Sequence, residues 1–154
     1  MKNITLNIGD VAVGKRDNSY TCFGLGSCIG LFLQDRITGI SGGAHILLPQ
    51  GGEVTDGKYY SVYLAIEELL RRLKSFNAGE MALRAKIAGG ANVIGASLNV
   101  GQQNIDQVIG CLSAHKIFIA AMDVGGNQSR TVCFEAATGQ LSVRKANSLE
   151  SKIY

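Results

Sequence analysis

The sequence predicts an α+β fold in a single domain spanning 1–154. Three observations carry that prediction. Short apolar runs with strand-like alternation cluster toward both ends of the chain. Two windows carry apolar residues at helical spacing. These helical windows do not alternate regularly with the strands, as they would in a doubly wound α/β sheet. A chain of 154 residues, 46% of them hydrophobic and 18% charged, is long enough to bury one core without staples.

The elements follow in order. Ile4, Leu6 and Ile8 alternate, and Val11 and Val13 continue the apolar run, so residues 3–13 read as a half-buried strand. Asn18 to Phe23 reads as a second strand, followed by the turn-forming GLGS. Ile29 to Leu33 and Ile40 to Leu48 form a hairpin around Asp35 to Gly39. Residues 49–57 are a polar, glycine-rich loop containing the single proline, Pro49. A helix over Tyr59 to Phe76 places Val62, Ile66, Leu69, Leu70 and Leu73 on one face, and Asn77-Ala78-Gly79 ends it. Met81 to Ala88 alternates as a strand running into Gly89-Gly90. After a loop, a second helix starts with Asn104 as N-cap and Gln107 as its capping-box partner. Ile105, Val108, Ile109 and Leu112 form its stripe. Ile117 to Met122 reads as a buried strand, and Thr131 to Ala136 with Leu141 to Arg144 as a closing hairpin. Lys145 to Tyr154 reads as a loose tail. The sum is about eight strands and two main helices.

Composition excludes several function classes. The net charge is only +3, and no run of lysine and arginine marks a nucleic-acid stripe. Arg71 and Arg72 follow Glu67 and Glu68 at four-residue spacing, the pattern of a solvated helix face with ion pairs. The opening MKNITLNIGD lacks the apolar core of a signal peptide, and no apolar run has transmembrane length. A cytoplasmic protein without membrane insertion is expected. Its four cysteines, Cys22, Cys28, Cys111 and Cys133, are then expected to be reduced, and no CxxC pair suggests a zinc knuckle.

The stretch YTCFGLGSCIGLFL places Cys28 directly after a glycine-rich bend. Several readings compete. A lone cysteine is commonly a core residue, and Cys111 and Cys133 fit that reading. The glycines of GLGSCIG have nearly the spacing of a dinucleotide loop, but a strand-like run follows them instead of a helix. Cys22, Cys28 and His45 could supply three metal ligands, without a fourth at recognisable spacing. Cys22 and Cys28 could form a disulfide.

The remaining reading is a nucleophile. GLGS leaves little bulk around the sulfur and frees backbone N–H groups for an oxyanion. Of the two histidines, His115 closes the second helix beside Lys116, where it complements the helix dipole. His45 lies in GAHILLP, on the strand expected to pair with the one after Cys28. Cys28 is seven residues before the hairpin turn and His45 six after it, so the two are roughly opposite.

At these residues the sequence resembles the CheD family of chemoreceptor glutamine deamidases. The motifs are GLGSC at 24–28, GAHILLP at 43–49, Asp56 to Tyr59, KIAGGA at 86–91, the NxGxxN pattern at 99–104 and DVGGNQSRTV at 123–132, and TGQLSVRK at 138–145 resembles the family's last hairpin. The resemblance implies mixed β-sheets in a layered sandwich with two main helices, a fold related to glutamine-deamidating toxins. It implies hydrolysis of glutamine side chains of methyl-accepting chemotaxis receptors, with no cofactor and no metal. Cys28 would form a thioester, and His45 would hold it as the thiolate, protonate the leaving ammonia and activate water. Gly26 and Ser27 N–H groups would face the oxyanion. A CheC-type phosphatase is the implied further partner.

Two positions depart from the family. Its histidine-orienting threonine falls at Cys22, with Thr21 one residue earlier; a backbone carbonyl or Thr21 would have to take over, or the dyad is looser. Gln103 stands where an arginine is usual. An adaptor that has lost its chemistry, or a receptor methylesterase using the same dyad, are the alternative functions.

Overall fold

The computed structural model describes residues 2–95 and 99–154. Among these residues, ten strands, two α-helices and one 3-10 turn fold into two five-stranded sheets. The strands are β1 (Lys2–Thr5), β2 (Val11–Gly14), β3 (Asn18–Leu25), β4 (Ile29–Asp35), β5 (Ser41–Ile46), β6 (Leu83–Gly89), β7 (Phe118–Val124), β8 (Arg130–Glu135), β9 (Gln140–Lys145) and β10 (Lys152–Ile153). The helices are α1 (Val62–Ser75) and α2 (Val100–Ala114). The first sheet has the order β1-β3-β8-β9-β10 and the second β2-β5-β4-β6-β7. Both are mixed: β1 with β3 and β6 with β7 pair parallel, the remaining neighbours antiparallel. The α+β class and the two main helices are as expected.

Alternation on β4 defines the layers. Ile29, Leu31 and Leu33 pack against α1 and α2 in one cluster with Ile66, Leu69, Val108 and Leu112. Cys28 and Phe32, on the other face, join Tyr20, Cys22, Val132 and Phe134 of the first sheet. The second sheet is therefore the middle layer, buried on both sides. Phe32 and Phe134 stack across the inter-sheet core with centroids 5.5 Å apart, a contact worth about 1 kcal/mol beyond burial.

Six expectations are corrected. The alternation of residues 3–13 hides two strands: β1 joins the first sheet and β2 the second, and the chain crosses between layers at Gly9, whose φ is +87°. Helix α1 begins at Val62 because Tyr59 and Tyr60 are tied into extended pairing with Gly9, Leu47 and Leu48. Helix α2 begins at Val100, a turn before the expected cap; Asn99 is its N-cap and accepts from the Gln102 N–H at 3.0 Å. Strand β7 is an edge, so Phe118 and Met122 lie exposed. The expected loose tail ends in β10, and the Tyr154 hydroxyl donates to Asp123 Oδ2 at 2.6 Å. Arg71 and Arg72 also differ from a merely solvated face: both pair with Glu68, which is buried, while Glu67 pairs with His115.

Candidate active site

His45 sits on β5, between β2 and β4. Only 5% exposed, it faces the inter-sheet core. Its Nδ1 lies 2.8 Å from the Leu6 carbonyl oxygen. A carbonyl only accepts, so Nδ1 carries the proton and Nε2 is left with the lone pair. The crossing between β1 and β2 clasps this residue. Gly9 N–H donates to the His45 carbonyl at 2.9 Å, and His45 N–H donates to the Asp10 carbonyl at 3.1 Å. Leu6 is fixed in turn by its N–H donating to the Thr21 carbonyl at 2.8 Å. Burial pushes the His45 pKa down, and the Leu6 carbonyl and the Asp10 charge oppose that only in part. The imidazole is neutral at pH 7.

Cys28 immediately precedes β4. Gly30 pairs with His45, and Ile29 with Ile46. Cys28 and Gly30 share a face because side chains alternate, so Cys28 is the diagonal same-face neighbour of His45. The register sets Cys28 one diagonal step from His45 rather than directly opposite it. Gly30 keeps that diagonal open: a Cβ there would crowd Leu25, Phe32 and the Cys22 sulfur at 3.2, 3.3 and 3.4 Å. Cys28 is 8% exposed, and burial raises its thiol pKa. In both cases burial disfavours the charged form.

The backbone around the thiol has a consistent polarity. Gly26 carbonyl accepts from Ala91 N–H at 2.8 Å, and Cys28 carbonyl from Gly90 N–H at 2.9 Å. Ser27 carbonyl accepts from Asn104 Nδ2 at 2.8 Å. The N–H groups of Gly26, Ser27 and Cys28 donate to no acceptor among the described residues. A trans peptide points the C=O of one residue opposite to the N–H of the next, so anchoring the Gly26 and Ser27 carbonyls turns the Ser27 and Cys28 amides away from those anchors. Two unpaired amides are thus held in a fixed direction beside the buried thiol.

Two glycine-bearing motifs provide the anchors. At Gly89, where φ is +110°, a Cβ would lie 2.2 Å from the Cys28 carbonyl oxygen. At Gly101 a Cβ would lie 2.5 Å from the carbonyls of Gly90 and Ala91. KIAGGA and NxGxxN therefore meet behind the cysteine loop without supplying any reacting group. A cavity of about 250 Å³ opens beside that loop, lined by Gly26, Ser27, Val93 and Val100 among others. A larger cavity, about 660 Å³, is lined by Gln34, Asp35 and Lys86 among others, at the opposite end of β4 and remote from this chemistry.

The remaining candidate residues are placed as follows. Cys22 is fully buried on the inner face of β3, its thiol pKa raised first by burial and then by Cys28 and Cys133. Thr21 lies on the opposite face, paired with Cys133 of β8. It is not brought to His45, whose Nδ1 is taken by the Leu6 carbonyl instead. Gln103 is exposed in the first turn of α2. All four cysteines are free thiols. Among the described residues no three His, Cys, Asp or Glu side chains converge as a metal set. His115 closes α2 as expected, with its ring nitrogens 3.1 Å from Glu67 and 3.3 Å from Glu80.

Sequence reasoning missed two contributors. Leu6 acts through its carbonyl, which no side-chain pattern signals. Asn104 was visible: it lies on the apolar stripe of Ile105, Val108 and Leu112, where a polar side chain asks for a reason.

A family profile described as CheD chemotactic sensory transduction matches residues 47–145. The match starts just after His45, so it rests on the supporting motifs and not on the dyad. A chemoreceptor glutamine deamidase CheD of Thermotoga maritima is 37% identical over 153 residues, covering 97% of this chain and 96% of that protein. A protein of Pyrococcus horikoshii named as a probable chemoreceptor glutamine deamidase CheD is 35% identical, covering 94% of this chain and 93% of its own. One of Methanococcus vannielii with the same name is 37% identical, at 96% and 98%.

Proposed function

This chain belongs to the CheD family, and from that premise we propose that it hydrolyses glutamine side chains of chemoreceptors to glutamate and ammonia. The observation that carries the reading is the pairing of His45 Nδ1 with the Leu6 carbonyl, which leaves a basic Nε2 on the face that Cys28 shares.

The chemistry follows from that arrangement. Nε2 accepts the thiol proton as Sγ attacks the carboxamide carbon, because neither group is charged at rest. The carbonyl oxygen becomes an oxyanion and accepts from the backbone amides of Gly26, Ser27 and Cys28. Collapse breaks the C–N bond, and the imidazolium returns the proton to the departing nitrogen, which leaves as ammonia. The product is a thioester on Cys28. Nε2 then takes a proton from water as the water oxygen attacks, and the thiol leaves reprotonated with glutamate formed. The cycle balances with water alone.

The adaptor alternative supposes a dyad without support; the Leu6 carbonyl bonded to His45 Nδ1 speaks for the enzyme instead. The test is mass spectrometry of a receptor cytoplasmic fragment incubated with this protein, with Cys28→Ala and with His45→Ala. Deamidation adds about one dalton per site; wild type shifts the mass and both variants do not. The double variant is no worse than either single one, because the residues act as a unit. An unshifted fragment with folded wild type sinks the deamidase, and release of methanol from a methylated receptor in place of ammonia identifies the methylesterase.

A further inference from the structure

Asn104 has no role in the steps above, yet it is wholly buried in the second turn of α2. Its Nδ2 donates to two carbonyls at once, Ser27 at 2.8 Å and Leu47 at 3.1 Å. Two carbonyl partners at one end of the amide fix that end as the NH2. Its Oδ1 has no partner among the described residues. A buried unpaired amide oxygen costs stability, so this side chain is held against a penalty that an apolar residue would not incur.

The two carbonyls say what is gained. Ser27 directly precedes Cys28, and Leu47 follows His45 by two residues. The β4–β5 ladder ends at the pair Ile29 and Ile46. Beyond it, the N–H groups of Leu47 and Leu48 both turn to the Tyr60 carbonyl, so no backbone bond joins the two chains at the level of the thiol. Asn104 Nδ2 spans that gap. It also fixes the plane of the Ser27–Cys28 peptide: with the Ser27 carbonyl held toward α2, the Cys28 N–H points away from it.

We propose that Asn104 is a positioning residue for catalysis, which aims the Cys28 amide at the oxyanion and sets the spacing of the cysteine and histidine chains. This rests on the deamidase reading. Being inaccessible, Asn104 touches no substrate. Its loss therefore acts on kcat and spares KM, because the aimed amide matters most when charge develops on oxygen.

The test compares Asn104→Ala and Asn104→Asp with wild type on the receptor fragment. Melting curves give the folded fraction, and NMR gives the Ser27 and Cys28 amide resonances. The expected result for folded Asn104→Ala is a kcat lower by roughly 10- to 100-fold, less than the roughly 100- to 1,000-fold loss on removing an oxyanion donor, because the amide is misaimed and not lost. KM stays within about twofold, and both amide resonances move. The acid limb of the pH profile stays in place, since the hydrogen bonds of Asn104 go to Ser27 and Leu47 and that of the His45 ring to Leu6. A folded variant with kcat within about threefold of wild type overturns the proposal, as do unmoved amides or failure of both variants to fold, which would make Asn104 a residue of the core alone. If wild type itself does not turn over while the variant's amides move, the deamidase reading falls and the aiming of the loop stands.

Discussion

The behaviour of His45 is set by one contact and one environment. Burial lowers its pKa, so the group that must be neutral to accept the thiol proton stays neutral below the ordinary histidine value of about 6.5. The acid limb of kcat/KM for the free enzyme is expected below that pH, and a limb at or above it would contradict the buried, carbonyl-bonded ring. Linkage gives a matching stability effect. Above pH of about 6.5 the ring is neutral in both folded and unfolded chains, and its contribution is fully present; as pH falls toward the depressed folded value, the unfolded chain protonates first and the contribution is lost. Chemical denaturation at pH 7.5 and 5.5 measures it. Cys22 provides a second check at this scale. Because the Leu6 carbonyl already takes Nδ1, Cys22→Thr is expected to change kcat by less than about threefold. A larger rise would show that a hydroxyl orients the ring better than the carbonyl does.

Helix α2 shows why an element can be placed correctly and bounded wrongly. Asn99 and Asn104 are both acceptable N-caps by residue type. Only the structure shows that the first accepts from Gln102 and that the second points into the protein. The hairpin of β4 and β5 was legible because Asp35 to Gly39 punctuates two apolar runs. The division between β1 and β2 was not, since the alternation of Ile4, Leu6 and Ile8 continues through the crossing. Gly101 carries the prediction at this scale. Glycine to alanine inside a helix ordinarily stabilises by about 1 kcal/mol. Here the sign reverses, because the added Cβ would lie 2.5 Å from the Gly90 and Ala91 carbonyl oxygens, in the segment just after β6 that anchors the cysteine loop. Gly101→Ala is expected to lower both the melting temperature and kcat; an ordinary stabilisation would mean that α2 does not press on that strand as described.

Across the whole molecule, the two sheets are tied together at the end of the chain as well as through their core. Asp123 of β7 is buried and takes Arg130 of β8 at 2.9 Å, while its second oxygen takes the Tyr154 hydroxyl. Lys86 of β6 reaches the Gly139 and Tyr154 carbonyls, each at 2.7 Å. Asp123 is held below the usual carboxylate range by Tyr154 and Arg130, against the opposing effect of burial. Tyr154→Phe removes one of these bonds to a charged group and is expected to cost about 1.5–3 kcal/mol, read as a lower denaturation midpoint with activity per folded molecule retained. No helix among the described residues is long and apolar enough to cross a membrane.

The Leu6 carbonyl has a consequence for how this site can change over time. A side chain that orients a base can be lost by one substitution, whereas a main-chain oxygen is present whichever amino acid the codon specifies. Position 6 is thus free to drift among apolar residues without the histidine losing its tautomer. The vulnerable property is the number of residues between Leu6 and Gly9. A one-residue insertion or deletion there would misplace the acceptor, and a scan of alanine substitutions would pass over it.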